Sequence, residues 1–163
     1  PERLAINGPN GSGKTTLIKI MLGKFKPMSG DVSLGVSHSA YLDQNVEILD
    51  KDKTVMENLK ILSGIDESSG RNWLARFLFP REDVFKKVGV LSGGERMRAA
   101  LACILAGDTP PNLLILDEPT NNLDLNSIER IESALLNFKG TLIVISHDKN
   151  FLKNVGIENS IEL

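Results

Sequence analysis

The run Gly8-Pro9-Asn10-Gly11-Ser12-Gly13-Lys14-Thr15 spells G-x-x-x-x-G-K-[ST], a pattern whose chemistry is the binding of a polyphosphate. Its glycines let successive backbone N–H groups converge on phosphate oxygens, and a helix opening near Lys14 turns its positive end toward the same anion. The Lys14 ammonium is a mobile point charge for the β and γ phosphates, and the Thr15 hydroxyl is a ligand for magnesium. Farther along, Leu113-Leu114-Ile115-Leu116 delivers Asp117 and Glu118 to the carboxyl end of an expected strand, the edge at which open α/β sheets bind ligands. Consecutive strand residues point to opposite sides, so the two acids have separate tasks. Asp117 is suited to hold magnesium through water, and Glu118 to polarise an attacking water as general base. A third feature is Leu91-Ser92-Gly93-Gly94-Glu95-Arg96. Ser92 and Glu95 form a capping box, and two glycines at a helix start open backbone N–H groups to a close anion. Taken singly, each motif has a plain structural reading: a glycine turn, an acid beginning a turn ahead of Pro119, a well-started helix. Together in one short chain they argue for chemistry, and the second anion-binding end asks for a site other than the first loop.

The elements that must position these residues are legible in the apolar spacing. Leu4-Ala5-Ile6 reads as a short buried strand that stops at the turn-rich loop, and Thr15 to Leu22 carries Leu17, Ile18, Met21 and Leu22 on one helical face, with Gly23 placed to stop it. Asp31 to Leu42 alternates in a β-prone way and predicts two short strands ending at Asp43-Gln44-Asn45. From about residue 45 to 90 the character is helical: Thr54 with Glu57 is a capping box ahead of Val55, Leu59 and Leu62, and a further helix is expected over Arg71 to Phe79, ended by Pro80. Strand character returns at Leu113 to Leu116, followed by a helix near Ser127 to Phe138 with Ile128, Ile131, Leu135 and Phe138 inward, a strand at Thr141 to Ile145 and a last strand within Ile157 to Leu163. Apolar strands alternating with helices predict an α/β fold with a parallel sheet covered on both faces.

At 163 residues, with 41% apolar and 25% charged residues, the chain is expected to be one domain with a core rather than a disordered tail or a fibrous repeat. Lys and Arg total 19 against 21 acids, a net charge of -2, so no global positive field gathers nucleic acid. The longest apolar stretches fall far short of the roughly 18 residues that cross a bilayer. The single Cys103 lies in an apolar run, where a small buried hydrophobe is the expected role, in keeping with a reducing cytoplasm. Trp73, Phe77 and Phe79 share their segment with Leu74 and Leu78 and are expected in the core, while His38 is expected exposed. The chain opens Pro1-Glu2-Arg3 without an initiator Met or a basic-then-apolar leader, the pattern of an excised piece without a signal peptide.

In their order along the chain, Gly8 to Thr15, Gln44, Leu91 to Glu95, Leu113 to Glu118, Asn121-Asn122-Leu123-Asp124 and His147 resemble ABC-type ATPase domains. The wording of Asp117-Glu118-Pro119-Thr120-Asn121-Asn122-Leu123-Asp124, Ser146-His147-Asp148 and Leu91 to Arg98 is most like the soluble ABC-F branch, tandem ATPases of which many act on ribosomes and some protect them from antibiotics. The resemblance implies a P-loop NTPase fold: a core of 1–44 and 91–163, a helical subdomain over about 45–90 and a truncated antiparallel β subdomain. It implies ATP and Mg2+ as cofactors, with Gly8 to Thr16 (Gly8, Pro9, Asn10, Gly11, Ser12, Gly13, Lys14, Thr15, Thr16) around the phosphates. Thr15, Gln44 and Asp117 would hold the metal, with Gln44 also linking the core to the helical insertion. Catalysis would fall to Glu118, His147 at the γ phosphate, and Lys14. Ser92, Gly93 and Gly94 would close over nucleotide held by a second ABC domain, with Asp124 in the loop that crosses to that partner. Two domains would sandwich two nucleotides head to tail, so strong hydrolysis by a monomer is not expected.

The sequence departs from the family pattern in places. No aromatic residue precedes Gly8 to stack on adenine, and Tyr41 lies downstream of the place where one is needed. The first strands of the smaller β subdomain and the interdomain linker are absent, and Asn122 stands where ABC-F proteins often have His. The implied role is a cytoplasmic ATPase without membrane insertion and with a possible ribosomal partner. The alternatives are the nucleotide-binding subunit of a membrane transporter, which shares every catalytic residue, and a non-catalytic nucleotide-binding or scaffold piece.

Overall fold

The computed structural model describes residues 2–121 and 123–163; Pro1 and Asn122, the site of one departure from the ABC-F wording, lie outside the described residues. Five strands, β1 (Arg3–Asn7), β2 (Ser39–Leu42), β3 (Leu113–Asp117), β4 (Thr141–Ile145) and β5 (Asn159–Glu162), pair in the order β2-β3-β4-β1-β5. Every neighbouring pair is parallel. Each return to the same edge therefore needs a crossover, and helices supply it: α1 (Lys14–Met21), α2 (Val55–Ser63), α3 (Glu67–Arg76), α4 (Gly93–Leu105), α5 (Leu125–Asn137) and α6 (Lys149–Asn154).

The two-residue period of the strands sorts the sheet's side chains into two cores. Leu114, Leu116, Leu142 and Val144 face a large cluster that includes Leu101 of α4, Ile131 and Leu135 of α5 and Phe151 of α6. Leu113, Ile115, Ile143 and Ile145 face a smaller one with Ile6 and Ile18 of α1. The large cluster continues into the helical segment through Met56, Leu59 and Leu74. Burying such side chains stabilises by about 1.5–3 kcal/mol each, which makes the two-faced β3 and β4 the centre of the fold.

Several boundaries differ from the sequence expectation, each for a local reason. Asp31 to Leu42 holds one strand, Ser39–Leu42, and residues 32–36 form none. Among the described residues antiparallel pairing is limited to the bridge between Thr54 and Lys87, so the antiparallel β part forms no strand: an extended segment without a neighbour leaves its N–H and C=O groups to water. The second helix of the insertion runs Glu67–Arg76 instead of 71–79. Asp66 caps it by accepting from Ser69 N at 3.1 Å, and Leu78 at φ 62 breaks it before Pro80. Helix α5 opens at Leu125 because Asp124 is its cap, and residues 81–90 form two short 3-10 turns rather than a helix. Helix α6, capped by Asp148, falls in a segment with too few apolar positions to show a period. The capping boxes at Thr54 with Glu57 and at Ser92 with Glu95 are both formed. Phe77 and Phe79 are buried and Cys103 is 1% exposed, with burial pushing its thiol up to about 12. His38 is exposed.

Candidate nucleotide site at the carboxyl edge of the sheet

Because all strands run the same way, their carboxyl ends lie along one edge. β1 ends in Asn7 and enters the glycine loop, β2 ends in Leu42 two residues before Gln44, β3 ends in Asp117 and is followed by Glu118, and β4 ends in Ile145 two residues before His147. Residues separated by most of the chain thus meet.

The loop from Gly8 to Gly13 links β1 to α1. Gly8 admits no side chain: a Cβ there would lie 2.6 Å from the Leu163 carbonyl oxygen and 2.7 Å from Ser12 Oγ. Gly13 occupies the cap position of α1 at φ 100, a left-handed conformation that costs an ordinary residue energy. Helix α1 has no side-chain cap and no acid in its first turn, so its opening N–H groups face the loop with a positive dipole end uncompensated. Lys14 Nζ donates to the carbonyl oxygens of Gly8 at 2.7 Å and Pro9 at 2.9 Å, which holds the ammonium over the loop. Thr15 Oγ1 donates to Asp117 Oδ2 at 3.1 Å, joining helix α1 to strand β3.

These residues fit a triphosphate with a hydrated divalent ion. The space above Gly11 and Gly13 is open, with no atom within 4 Å of a built Cβ, and Ser12 Oγ is a buried polar atom without a hydrogen-bond partner. Among the described residues no group of three His, Cys, Asp or Glu side chains converges, so this is no all-protein metal cage. A hydroxyl, a carboxylate and an amide oxygen from Thr15, Asp117 and Gln44 match magnesium, which keeps several waters and takes oxygen from phosphates.

Glu118 follows the strand at φ 51, and its backbone N donates to Ile145 O at 2.8 Å. Its side chain is 19% exposed, with Oε1 3.5 Å from His147 Nε2. Burial raises the Glu118 pKa above the ordinary carboxylate value, opposed by the His147 interaction and reinforced by the Asp117 charge. A carboxylate with a raised pKa beside a cleft is a stronger proton acceptor than a free one. Gln44, Asn10, Glu118 and His147 line one cleft of about 530 Å³. Asn10, Gln44 and Glu118 also line the adjoining cleft, of about 320 Å³, with Lys14, Thr15 and Asp117. Thr16 lines the second cleft as well.

Ser92, Gly93, Gly94 and Asp124 do not line these clefts. Ser92 and Gly93 are exposed at the start of α4, where Ser92 Oγ accepts from Glu95 N at 3.2 Å, and a Cβ on Gly93 would meet open space. Gly94 is packed instead, 3.1 Å from Leu123 Cδ2 and 3.5 Å from Ser127 Oγ as a built Cβ. Ser127 in turn is bound by Asp124, whose carboxylate accepts from Ser127 Oγ at 2.6 Å and from Ser127 N at 3.0 Å. These bonds hold the Asp124 pKa below its ordinary value. Asp124 and Gly94 therefore meet through one serine, which couples the start of α4 to the start of α5.

Two residues of the arrangement escaped the sequence reading. Tyr41 Oη donates to Asp117 Oδ2 at 3.1 Å, the oxygen that also accepts from Thr15; burial first, and then the Asp117 charge, raise the tyrosine's pKa. The alternation of β2, with Ala40 and Leu42 buried, was the available signal that Tyr41 points the other way. Arg98, on the same helix as Ser92's cap, is 7% exposed and donates through Nη1 to Phe77 O at 2.8 Å and Leu78 O at 3.3 Å, tying α4 to the broken end of α3.

A family model described as ABC transporter matches residues 1–121. The chain belongs to this family. Similar proteins include the ATP-binding protein Uup of Haemophilus influenzae, 44% identical over 163 residues, covering 96% of this chain and 25% of that protein. ABC transporter F family member 5 of Arabidopsis thaliana is 42% identical over 159 residues, covering 94% of this chain and 22% of that protein. This ABC domain thus spans about a quarter of the length of these relatives. Among solved structures, an ATP-binding cassette in a dimeric post-hydrolysis state bound to ADP and Pi superposes with a TM-score of 0.79 at 26% identity, covering 99% of this chain and 81% of that one. An archaeal ribosome recycling factor in complex with a ribosomal stalk protein gives a TM-score of 0.75 at 29% identity, covering 94% of this ABC domain and 30% of that chain. Among the described residues no helix is long and apolar enough to cross a membrane.

Proposed function

We propose that this ABC domain binds and hydrolyses magnesium ATP in the cytoplasm as one half of a nucleotide sandwich formed with a second ABC domain. The observation that carries the reading is the Thr15 to Asp117 hydrogen bond at 3.1 Å, which joins the phosphate loop to the acid pair across 102 residues of sequence. Backbone N–H groups of Gly11 to Thr16 and the Lys14 ammonium bind and orient the phosphates, while Thr15, Asp117 and Gln44 hold the magnesium ion. The chemistry such an ion would supply when bound is neutralisation of phosphate charge and polarisation of a phosphoryl oxygen. Glu118 takes a proton from the attacking water, a transfer favoured by burial, which raises its pKa. His147, 3.5 Å from Glu118, keeps the acid oriented and reaches toward the γ position. Ser92, Gly93 and Gly94 act on the nucleotide of the partner domain, and the exposure of Ser92 and Gly93 leaves them free for that contact. Residues 45–90 work as a helical subdomain that moves relative to a core of 1–44 and 91–163, with Gln44 at the junction.

The ABC-F wording of the motifs and the likeness to Uup and to an ABC-F family member support a role on ribosomes over a role in membrane transport, as does the resemblance to a ribosome recycling factor. Isothermal calorimetry of the chain with magnesium ATP tests the reading. Saturable heat that Lys14→Ala weakens by about ten- to a hundredfold, the worth of hydrogen bonds to a charged group, is the expected result. An absence of heat up to millimolar nucleotide removes ATP binding from the account.

A further inference from the structure

At the opposite edge of the sheet, where Pro110 and Gly140 lead into β3 and β4, a groove of about 510 Å³ opens between α3, the end of α4 and α5. Its floor is apolar, built from Trp73, Phe77, Leu105 and Phe138, and Arg76, Arg130 and Lys139 stand among its lining residues while no carboxylate does. None of the three cations takes part in an ion pair among the described residues. In a chain whose net charge is -2, three unpaired cations around one apolar floor make a local field of the opposite sign to the whole molecule.

The aromatic floor is held rigid. Trp73 Nε1 donates to Ala102 O at 2.8 Å, so its one polar atom is already satisfied. The Arg76 guanidinium covers one face of the indole at 5.7 Å from the ring centroid, and the Phe77 ring lies 5.5 Å away at 49°. Base stacking needs a free ring face, and this indole has little to offer, which argues against single-stranded nucleic acid. An apolar side chain with a carboxylate neighbour suits the surroundings better: Trp73 and Arg76 are of the residue types that anchor interfaces, and Arg76, Arg130 and Lys139 line the groove without a carboxylate.

We propose that this groove docks an acidic amphipathic peptide segment of a partner protein, its apolar side chains against Leu105 and the part-exposed edge of Trp73 and its carboxylates against Arg76, Arg130 and Lys139. The site is separate from the nucleotide edge, and the proposal does not depend on ATP binding.

Trp73 is the chain's one tryptophan, so its emission reports directly on the groove. The test titrates the chain with a synthetic helical peptide bearing Leu at i, i+3, i+4 and i+7 and Glu elsewhere, alongside the same peptide with Lys for Glu and an oligouridine. The expected result is a saturable change in Trp73 emission with the Glu peptide alone. Weakening by at least about tenfold is expected in the Arg130→Glu/Lys139→Glu double variant and as salt is raised. Far-ultraviolet circular dichroism checks that the variant folds, and Arg130→Gln carries the same comparison where it does not. No response to the Glu peptide at millimolar concentration overturns the proposal, as do an equal response to the Lys peptide, unchanged affinity in the charge variants, or preferential binding of the oligouridine. Calorimetry with magnesium ATP on the same samples keeps a failed groove distinct from a failed nucleotide site.

Discussion

Replacing Glu118 with Gln separates the shape of this side chain from its charge. The side chain is 19% exposed and its backbone sits at φ 51 with its N–H bonded to Ile145 O at 2.8 Å. Gln has the same length and the same backbone preferences, so the strand end should keep its geometry. What disappears is the capacity to accept a proton and the charge beside His147. General-base contributions of about 10²–10⁴-fold correspond to about 3–5 kcal/mol of barrier at 1.36 kcal/mol per tenfold. Single-turnover phosphate release by this ABC domain paired with a second one, a copy of itself or a domain of the same polypeptide, should fall by that factor. ATP affinity, which the proposed function assigns to Lys14 and the loop amides, should hold, and an ATP-bound dimer should accumulate in sedimentation. A second signature follows from linkage. Burial raises the Glu118 pKa above its ordinary 4.5, so the folded chain keeps this proton to higher pH than the unfolded chain does. Ionised Glu118 therefore destabilises the fold, fully above the folded pKa and not at all below the unfolded one. Glu118→Gln should melt no lower than the parent at neutral pH, and the two melting curves should converge as pH falls toward 4.5. Turnover by the parent should decline over the same fall in pH, as the base is protonated. Unchanged turnover in the variant, or a lower melting temperature with a gap independent of pH, refutes this account of Glu118.

Two further expectations concern the scaffold. Arg98→Ala removes the buried donor to the Phe77 and Leu78 carbonyls and the cation 5.2 Å over the Phe79 ring. It should cost about 2–4 kcal/mol in urea unfolding, and a loss within experimental error would mean that this guanidinium adds nothing to the join between α4 and the end of α3. Gly140→Ala would bring a methyl group to 2.4 Å from Phe138 Cζ and 2.7 Å from the Asn112 carbonyl oxygen. One of those neighbours is backbone and cannot turn aside, so a destabilisation of at least about 1–3 kcal/mol is expected; an unchanged melting temperature would contradict the close approach between the start of β4 and the loop before β3.

Much of the architecture was legible because its cause is local. β4 runs Thr141–Ile145 as its apolar run predicts, and β3 gains only Asp117, since strands buried on both faces show as unbroken runs of Leu, Ile and Val. The capping boxes at Thr54 and Ser92 were readable because donor and acceptor lie three residues apart. The errors came where a distant neighbour decides the outcome. Alternation in residues 32–36 suggested a strand, yet among the described residues it pairs with none. The aromatic segment around Phe77 looked helical, but Leu78 turns to φ 62 and Arg98, a helix away in sequence, holds the freed carbonyls.

The motifs by themselves determined the reading of the chemistry: glycines, a lysine and a threonine at fixed spacing are the pattern of an anion-binding helix start, because the backbone groups such a start offers to an anion are covalently adjacent. Tertiary structure decided the rest. That Thr15 and Tyr41 share one oxygen of Asp117, that His147 stands 3.5 Å from Glu118, and that Gly94 and Asp124 meet through Ser127 depends on parallel pairing that brings the ends of four strands to one edge. The cation-rimmed groove at the other edge is likewise assembled from α3, α4 and α5, which no short motif connects. Spacing along a chain reports only what adjacency fixes; contacts across the sheet depend on the order of its strands.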